Sequence, residues 1–577
     1  MTESPADARP VDSLQAQIQR AHDSVHLDHW APVRNGICPQ VRLGSRWFNV
    51  LWLIPIGFVM LIAGVTAAHE LRTLPAVNEF IARYPGQSSA PVAYSGFPIW
   101  LRIQHFFNLF LMMLIIRSGI QILADHPRLY WDNNCTPGSE WFRFQHAVPR
   151  GVVWLAKDDA VTIPGWLGIP GIRHSIGLAR WWHFSCDLFW LVNGIVFYAL
   201  LLSTYQWQRI VPTSWDVFPN ALSTMLQYLS LQMPADVGWV RYNSLQQIVY
   251  FATVFIAAPL AVFTGLMQAP AISNRLGWLG RVVHRQAARS VHFLIMLWFV
   301  QFIIIHITMV FVTGVRRNLN HITLNNDGTG WAGTLVAAVG IGVVVVAWFL
   351  ASPFTLKNAR LVQKTGQFLV GGFKELMEMW DPKTEYSEKD IASHLWLNGL
   401  LPTSEEFNEL CEDNYAGYRL RIDGLVENPA EFAYDQLRAM PKQEQITNHF
   451  CIQGWSGVAK WGGVPMRHVL ELVKPLPQAR YVAFYSFGEG GEGGIYYDVH
   501  EIENMHHELT ILAYEMNGEP LPLQHGAPLR LRCENQLGFK QIKWIRAIEF
   551  VESFSHIGSG QGGYNEDHEF YGYRMPI

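Results

Sequence analysis

Six apolar stretches in the first 350 residues are each long enough to cross a lipid bilayer as a helix. A helix needs about 20 apolar residues to cross the hydrocarbon core. Buried helices of a large soluble domain are the alternative, but few soluble proteins have six such runs with Trp- and Tyr-rich ends. The sequence therefore predicts an all-α membrane bundle with spans at residues 47–68, 99–124, 178–203, 245–268, 291–314 and 334–350.

The charge distribution divides the chain near residue 350. Residues 1–350 contain 23 Lys and Arg and 16 Asp and Glu, a net charge of +7, whereas residues 351–577 contain 20 and 31, a net charge of −11. The composition excludes a disordered chain and a nucleic-acid-binding tail. The six cysteines are too scattered for a disulfide framework, and no C-x-x-C pair indicates zinc or an iron–sulfur cluster.

These patterns predict four consecutive parts. Residues 1–46 form a polar N-terminal tail without the apolar core of a signal peptide, and residues 47–350 form the membrane domain. Residues 351–390 form a charged linker, and residues 391–577 a soluble α+β domain. In the last part, β-rich runs such as YRLRIDGLV and IKWIRAIEFVE alternate with short helical patterns, and its length is sufficient for a hydrophobic core of its own.

Four histidines lie inside the predicted spans, at His105, His183, His292 and His306. An ionisable group in hydrocarbon is costly and therefore points to function. His292 and His306 are fourteen residues apart in one span, so they share a helix face and are separated by about 21 Å along the axis. One imidazole therefore lies towards each membrane surface, as two stacked haems in a helical bundle require.

The directions of successive spans pair these histidines at two depths. His183 and His292 lie near the starts of spans that run the same way. His105 lies near the start of a span that runs oppositely, which places it level with His306. Each histidine alone could be a core residue hydrogen-bonded to a neighbouring helix. Two level pairs instead favour two bis-His sites, and neutral imidazole is a natural axial ligand of electron-transfer haem.

The segments RIQHFFNLFLMMLIIRSG, ARWWHFSCDLFW and the H-x13-H helix resemble the dihaem cytochrome b subunits of formate dehydrogenases and nickel hydrogenases. The resemblance spans about residues 99–314 and implies that the four histidines ligate two b haems, which exchange electrons with membrane quinone. Arg102, Arg180 and Arg289 could pair with haem propionates or extend to the membrane surface. Asp187 could orient a ligand, move a proton or make an ordinary interhelical hydrogen bond.

Three motifs in the soluble half indicate a bound metal or anion. They are HFCIQGWSG, which contains Cys451, HGAPLR at residues 525–530 and GFKQIKW at residues 538–544. A thiolate close to Arg and Lys suggests a metal-bound sulfur or a low-pKa nucleophile, with the cations holding an anion. The alternative is a buried apolar cysteine beside a solvated basic surface.

The same motifs resemble the sulfite-oxidase superfamily of molybdenum enzymes, and FCIQGWSG followed by WGGVPM is similar to its methionine sulfoxide reductase branch. The resemblance covers about residues 395–553 and implies a sulfite-oxidase-type domain that binds molybdopterin, with Cys451 as the catalytic thiolate on molybdenum. A soft thiolate suits this metal. The arginine cluster expected at a sulfite pocket is not evident in CIQGWSGVAKW. The resemblance implies pterin and phosphate contacts from Asn398, Ser486, His525, Arg530, Gln541, Ile542 and Lys543.

Together the halves predict a membrane-bound molybdenum oxidoreductase embedded in lipid. Oxygen-atom transfer on a small substrate, such as a sulfoxide, sulfite or similar oxyanion, would exchange electrons with quinone or quinol through two b haems. One alternative is a transport or sensor protein without redox turnover, whose histidines line a pore. Another is a b-type cytochrome reductase with a vestigial molybdenum domain, against which the intact Cys451 argues.

The distribution of Lys and Arg favours a cytoplasmic molybdenum domain in a bacterial-type inner membrane. With six spans both chain ends share one side, and that side carries the more basic loops, 125–180 and 269–289. A periplasmic location stays open for two reasons. Arg316-Arg317 faintly resembles a twin-arginine export signal, and the cytochrome b resemblance orients the bundle the other way.

Overall fold

A computed structural model describes residues 39–89, 96–144, 147–148, 154–234, 239–378, 385–491 and 493–577. Within these ranges six helices are long and apolar enough to cross a membrane. A β-rich domain follows them, so the predicted architecture of a six-helix membrane bundle and an α+β domain is confirmed. The spans are α1, Val50–Leu71; α2, Ile99–Asp125; α3, Ile176–Ser203; α4, Ser244–Met267; α5, Arg285–Val312; and α6, Ala332–Lys357.

The outer surface of the bundle is apolar, and its polar groups are turned inwards. Ile54, Phe58 and Val339 expose 65–71% of their surface, as side chains facing lipid would. Arg117 in α2 is fully buried and donates to the carbonyl of Gly168 over 2.7 Å and to the Ser352 hydroxyl over 3.0 Å. A charge in this environment needs such partners, and these tie α2 to α6 and to the loop before α3.

Short elements connect the spans. A four-stranded antiparallel sheet lies beside the bundle in the order β2-β1-β4-β3. Its strands are β1, Gln40–Leu43; β2, Arg46–Asn49; β3, Arg128–Leu129; and β4, Phe142–Arg143. The connecting helices are Pro75–Arg83, Val217–Leu229, Pro270–Ser273, Trp278–Val282 and Val315–Leu324.

The segment predicted as a linker, residues 351–390, contains ordered helix. Its first seven residues complete α6, and Ala359–Glu378 form an amphipathic helix, α7. This helix packs on α3, where a Cβ at Gly366 would come within 2.6 Å of the Trp181 ring. The Gln363 amide donates to the Tyr571 carbonyl over 2.5 Å. Charge content alone suggested a connector, whereas the segment's apolar face makes α7 part of the contact between the two halves.

The soluble domain contains two five-stranded sheets. The first has the order β10-β9-β14-β5-β6, in which β14 and β5 are parallel, and the second the order β12-β11-β8-β7, with β13 beside β11. The strands are β5, Arg419–Gly424; β6, Ala430–Ala433; β7, Gln443–Phe450; β8, Ser456–Pro465; β9, Tyr481–Glu489; β10, Ile495–Glu501; β11, Thr510–Met516; β12, Glu519–Pro520; β13, Arg530–Cys533; and β14, Ile545–Val551. The helices are α8, Glu405–Glu412; α9, Tyr434–Ala439; α10, Met466–Val473; α11, Ile502–His506; and α12, Tyr564–His568.

A buried ion cluster joins the C-terminal segment to this domain. The ammonium of Lys540 contacts the carboxylate of Asp498 and that of Glu566, the latter over 2.7 Å. All three side chains are almost completely buried. Removing the single cation would leave two carboxylates without compensation in a low-dielectric interior, which is strongly destabilising.

The loop between α2 and α3 packs on the soluble domain. Tyr130, Cys135 and Ala156 share one hydrophobic cluster with Cys451 and Trp455. The amide of Ala156 also donates to the carbonyl of Leu397 over 2.7 Å. The membrane half therefore forms one wall around the hairpin that carries Cys451.

Candidate molybdenum and haem sites

Cys451 lies at the turn between β7 and β8. Register pairing runs along this hairpin to Phe450 and Ser456, so residues 451–455 form its closed end. The Cys451 amide donates to the Trp455 carbonyl over 3.1 Å, and Gly454 adopts a φ of +108°, which favours glycine. A tight, buried turn thus holds the sulfur in a fixed position.

The environment of the sulfur suits a metal-bound thiolate. Burial raises the pKa of the Cys451 thiol to about 12, so at neutral pH the metal-free side chain keeps its proton. Its thiol donates to the Gln453 side-chain oxygen at 3.7 Å, and the Asn398 amide donates to the same oxygen at 3.3 Å. A metal ion would displace the proton on binding.

Three basic residues for which sequence predicts pterin contacts, His525, Arg530 and Lys543, lie together in the structure. Lys543 donates to the carbonyls of Asn398, over 2.5 Å, and Gln524, over 2.8 Å. Arg530 donates to the carbonyl of His525 over 2.8 Å. Residue Gly526 is required here, because a Cβ on it would approach Lys543 and Arg530 to within 3.0–3.1 Å.

The electrostatics of this cluster indicate a bound anion. Burial and the Arg530 charge hold the pKa of Lys543 well below its ordinary value. Burial, followed by the charges of Lys543 and Arg530, does the same to the pKa of His525. The Nε of Arg530 is buried without a hydrogen-bond partner. A phosphate placed among these groups would neutralise the excess charge and accept charge-assisted hydrogen bonds, so the cluster fits the phosphate end of a molybdopterin.

The other predicted pterin contacts described here are Ser486, Gln541 and Ile542. The Ser486 hydroxyl donates to the carbonyl of Lys543 over 2.8 Å and so belongs to the same cluster. The Gln541 amide donates to the carbonyls of Cys533 and Gln536, each over 3.1 Å, while its side-chain oxygen is buried without a partner. The Ile542 side chain lies in the hydrophobic core, so any contact it makes to a cofactor would come from its backbone.

Sequence reasoning missed the aromatic support of this cluster. The guanidinium of Arg530 lies 4.8 Å from the centre of the Trp461 ring, and that of Arg532 lies 4.3 Å from it. Arg532 also donates to His449 over 2.8 Å and forms an ion pair with Glu534. Trp461 lies on β8 and the two arginines on β13, and β11 lies between these strands in one sheet. Because the residues are far apart in sequence, no local sequence pattern predicts this contact.

In the bundle, His183 on α3 faces His292 on α5. Their ring centroids are 6.4 Å apart. The Nδ1 of His183 lies 3.0 Å from the Ser118 hydroxyl, and the Nδ1 of His292 lies 3.0 Å from the Thr264 hydroxyl. Both hydroxyls engage Nδ1 and leave the opposite ring nitrogen for a metal, which is the usual arrangement around metal-bound histidine.

The second pair is His105 on α2 and His306 on α5, with ring centroids 6.2 Å apart. The Tyr250 hydroxyl lies 3.3 Å from Nδ1 of His306. The Phe302 ring is stacked on the same imidazole at 5.6 Å. The structure thus brings the four histidines together in the two pairs that helix direction predicts.

Both separations fit a haem iron between the rings. A metal–imidazole bond is about 2 Å long and the ring centre lies about 1 Å beyond the nitrogen, so two axial imidazoles have centroids about 6 Å apart. Gly119 and Gly265 add room at the first pair: a Cβ at these positions would lie 3.2 Å and 3.6 Å from the Cε1 atoms of His183 and His292. The supporting hydroxyls and glycines were not found from sequence, because each belongs to a different helix from the histidine it supports.

The four charged residues noted near the ligands have protein contacts. Arg102 donates to the carbonyl of Thr323 over 2.6 Å, and Arg289 to the carbonyls of Arg128 and His126. The Arg180 guanidinium lies 5.0 Å from the Phe184 ring centre, and one carboxylate oxygen of Asp187 lies 3.5 Å from Nε2 of His183.

Metal ligation at these sites requires no larger ligand cluster. Across the described part of the chain, no group of three or more His, Cys, Asp or Glu side chains is arranged to hold a metal ion. One thiolate beside a dithiolene cofactor, or two imidazoles on a haem iron, does not need one.

Two family models match successive parts of the chain. Residues 96–324 match the family "Prokaryotic cytochrome b561", and residues 408–556 match the family "Oxidoreductase molybdopterin binding domain". The chain therefore resembles one family in its membrane half and the other in its soluble half. The two resemblances drawn from sequence motifs are therefore confirmed.

Curated relatives match parts of the fusion. The chain is 34% identical over 160 residues to the putative protein-methionine-sulfoxide reductase subunit YedZ1 of Azospira oryzae, covering 28% of this chain and 56% of that protein. It is 37% identical over 145 residues to the protein-methionine-sulfoxide reductase catalytic subunit MsrP of Xanthomonas campestris pv. campestris, covering 23% of this chain and 45% of that protein. The chain thus spans about half the length of the curated relatives it matches.

The chain is also similar to part of a solved structure. The sulfane dehydrogenase SoxCD from Paracoccus pantotrophus shares 23% identity with this chain, covers 24% of it and 39% of its own length, and has a TM-score of 0.22. That overlap is too small to support a conclusion about fold or substrate.

Proposed function

We propose that this fusion is a membrane-bound molybdenum oxidoreductase. It would catalyse oxygen-atom transfer at a molybdopterin centre bound by Cys451 and exchange electrons with the quinone pool through two b haems. The observation that carries this proposal is the direct contact of the Cys451 turn with the first turns of α3 and α5, through Arg180 and Arg285. These two helices also carry His183 and His292, the histidine pair that lies nearer the Cys451 turn. A redox site at Cys451 would therefore adjoin an electron carrier.

The chain's own groups would hold and position the molybdenum cofactor. When bound, a molybdenum centre supplies two-electron, oxygen-atom chemistry. The Cys451 thiolate would ligate the metal, and Arg530, Lys543 and His525 would hold the phosphate of the pterin. The turn residues 451–456 are all buried, so the protein would exclude bulk water from the sulfur.

The bundle would hold the electron carriers. A b haem, when bound, supplies one-electron transfer. His183 with His292 and His105 with His306 would ligate two haem irons near opposite membrane surfaces. The hydroxyls on Nδ1 fix the orientation of three of the four rings. The pair level with Tyr250 would then lie nearer the quinone, since it is the pair farther from the Cys451 turn.

A sulfoxide is the substrate that the relatives' names favour, with sulfite or a similar oxyanion as the other members of the class. Reduction of a sulfoxide consumes two electrons and two protons and yields a sulfide and water. Quinol would supply the electrons, one at a time, through the haems.

Substitution of the cysteine tests this proposal. In Cys451→Ala we expect loss of molybdenum from the purified protein and loss of quinol-dependent sulfoxide reduction, with the b-haem spectrum retained. Cys411→Ala is the matched control, because Cys411 is also buried in the soluble domain but lies in a separate hydrophobic cluster. Retention of molybdenum and turnover in Cys451→Ala would refute the assignment.

The metal and haem content decides between this proposal and its rivals. A transport or sensor protein would contain neither stoichiometric molybdenum nor a reducible b-haem absorbance band. A b-type cytochrome reductase with a vestigial domain would contain haem alone. We expect both molybdenum and haem in the protein isolated from membranes.

For the side of the membrane, we propose that the molybdenum domain faces the cytoplasm. The basic loops support this orientation. The arginine pair that resembles an export signal lies in the helix Val315–Leu324, where Arg317 forms an ion pair with Asp327 at 2.7 Å. Protease added to intact spheroplasts should leave the chain whole after residue 390, and cleavage there would overturn the orientation.

A further inference from the structure

We propose that Arg285 is a positioning residue for electron transfer between the Cys451 centre and the haem held by His183 and His292. This inference rests on the proposed function and adds a residue that neither the motifs nor the family resemblances identify. It concerns the junction between the two modules rather than either cofactor site alone.

The first observation is the hydrogen bonding of Arg285. Its guanidinium donates to the carbonyl of Cys451 over 3.0 Å and to that of Trp455 over 3.3 Å. The side chain is buried and also lies 5.8 Å from the centre of the Phe450 ring. Arg285 therefore spans both ends of the turn from outside the soluble domain, and a buried arginine with two acceptors in one turn fixes their relative position.

The second observation is the place of Arg285 on its helix. It is the first residue of α5, seven residues before His292. Two helical turns separate them, about 10.5 Å along the axis. The carbonyl that accepts the Arg285 hydrogen bond belongs to the residue whose sulfur would bind the metal. A path therefore connects the Cys451 sulfur with His292. It runs through the covalent bonds of Cys451, the hydrogen bond from its carbonyl to Arg285, the Arg285 side chain and two turns of α5.

Further hydrogen bonds fix the position of the Cys451 turn relative to α3 and α5. Gln286 donates to the Gly454 carbonyl over 2.9 Å and to the Ser456 hydroxyl over 3.0 Å. Arg180, one turn before His183 on α3, donates to the carbonyl of Ile452 over 3.4 Å. Both haem-ligand helices therefore begin against the same turn, and every contact is to a fixed backbone or hydroxyl acceptor.

The close approach also depends on a glycine. A Cβ at Gly454 would lie 3.2 Å from the guanidinium carbon of Arg289. A side chain at this position would crowd the Arg289 guanidinium, and the φ of +108° also favours glycine. Both sides of the junction therefore contribute to the fit: α5 supplies the donors and the turn supplies the acceptors and a glycine. A chance contact between two tethered domains would not show this complementarity.

The electron balance follows from the proposed reaction. In the proposed reaction, each sulfoxide reduced would require two one-electron transfers across this junction, from the haem site to the molybdenum site. Two protons from water complete the conversion of the sulfoxide to sulfide and water. Because Arg285 contacts backbone oxygens, we expect its loss to slow the electron transfers more than the oxygen-atom step itself.

The test compares Arg285→Met with Arg281→Met in the full-length holoprotein. Arg281 is exposed and lies four residues earlier, in the separate connecting helix Trp278–Val282, so it controls for loss of a positive charge near the junction. Haem oxidation is followed by absorbance after methionine sulfoxide is added to dithionite-reduced protein freed of excess reductant. A second assay measures sulfoxide reduction driven by a reduced viologen dye, which can deliver electrons to the molybdenum centre directly.

A readout independent of turnover is hydrogen exchange of amides 451–456, measured in the full-length holoprotein without substrate. Losing a buried hydrogen bond to a charged group shifts the equilibrium between the closed and the open turn towards the open form by about tenfold or more. We therefore expect about tenfold faster exchange in Arg285→Met and parent-like exchange in Arg281→Met. We also expect the ratio of haem oxidation to dye-driven turnover to fall about tenfold in Arg285→Met alone. Arg285→Lys, which keeps the charge but has one donor group, should recover part of both effects.

Two results would overturn the proposal: an unchanged ratio of haem oxidation to dye-driven turnover, whether or not both rates fall together, or unchanged hydrogen exchange. If Arg285→Met does not retain its cofactors, the same criteria are applied to Arg285→Lys. Failure of the proposed function looks different, because the parent protein itself would then lack molybdenum or show no haem oxidation by sulfoxide.

Discussion

Replacing Gly119 by valine should remove one haem and spare the other. Gly119 faces the first histidine pair, where a Cβ would stand 3.2 Å from Cε1 and 3.7 Å from Nδ1 of His183. The two further methyl groups of valine extend about 1.5 Å beyond that atom, so at least one of them overlaps the ring. Overpacking of this kind costs about 1–3 kcal/mol, which corresponds to roughly 5- to 150-fold weaker haem binding at that site.

The assay is the haem-to-protein ratio of the purified variant, followed by a redox titration that resolves the haem components. We expect the ratio to fall from two towards one, with the remaining component at its parent potential. Gly194→Val is the matched control, because Gly194 lies on α3 and a Cβ there meets nothing within 4 Å. The reasoning is refuted if Gly119→Val keeps both haems unchanged or loses both together.

Three further predictions concern other parts of the molecule. Thr264→Val removes the hydroxyl on Nδ1 of His292 and should weaken haem retention at that pair by about 10- to 100-fold, measured after detergent washing; equal loss of both haems would contradict it. Lys540→Met leaves two buried carboxylates uncompensated and should lower stability by about 3–5 kcal/mol, seen as a large drop in the melting temperature of the soluble domain. Burial and the charge of Lys540 lower the pKa of His500 to about 3, so the stability present above pH 6.5 is lost as the pH falls towards 3. Between pH 6.5 and 5 the loss is about 2 kcal/mol, and His500→Gln should make the acid decline of the melting temperature shallower.

The bundle could be predicted from sequence because its signals are local. Length and apolarity identify each span, and the fourteen-residue spacing on α5 places two rings on one helix face. The direction of α2 and α3 then settles which rings are level, and the observed centroids lie 6.4 Å and 6.2 Å apart. The side chains that orient those rings could not be predicted in the same way. Ser118 and Thr264 act across helices, and serine or threonine at such positions is common in any membrane helix.

The soluble site shows the same division. Cys451, His525, Arg530 and Lys543 lie in motifs whose order makes them candidates for cofactor binding. The arginines that approach the Cys451 turn do not: CIQGWSGVAKW contains none, and Arg285 lies 166 residues earlier in the chain. A contact between two modules leaves no periodicity and no motif in either of them, so it becomes visible only when the chain is folded.

The contact of α3 and α5 with the Cys451 turn also has a kinetic consequence. In a pair of separate proteins, each electron delivered requires a new encounter, whose rate depends on concentration and falls as salt screens the attracting charges. Here the proposed donor and acceptor sites belong to one chain, and buried hydrogen bonds hold the Cys451 turn against α5. The internal electron transfer should therefore be first order, independent of protein concentration and nearly insensitive to ionic strength. In a covalent fusion the acceptor is always present at a high effective concentration around the donor, so no diffusional encounter is needed.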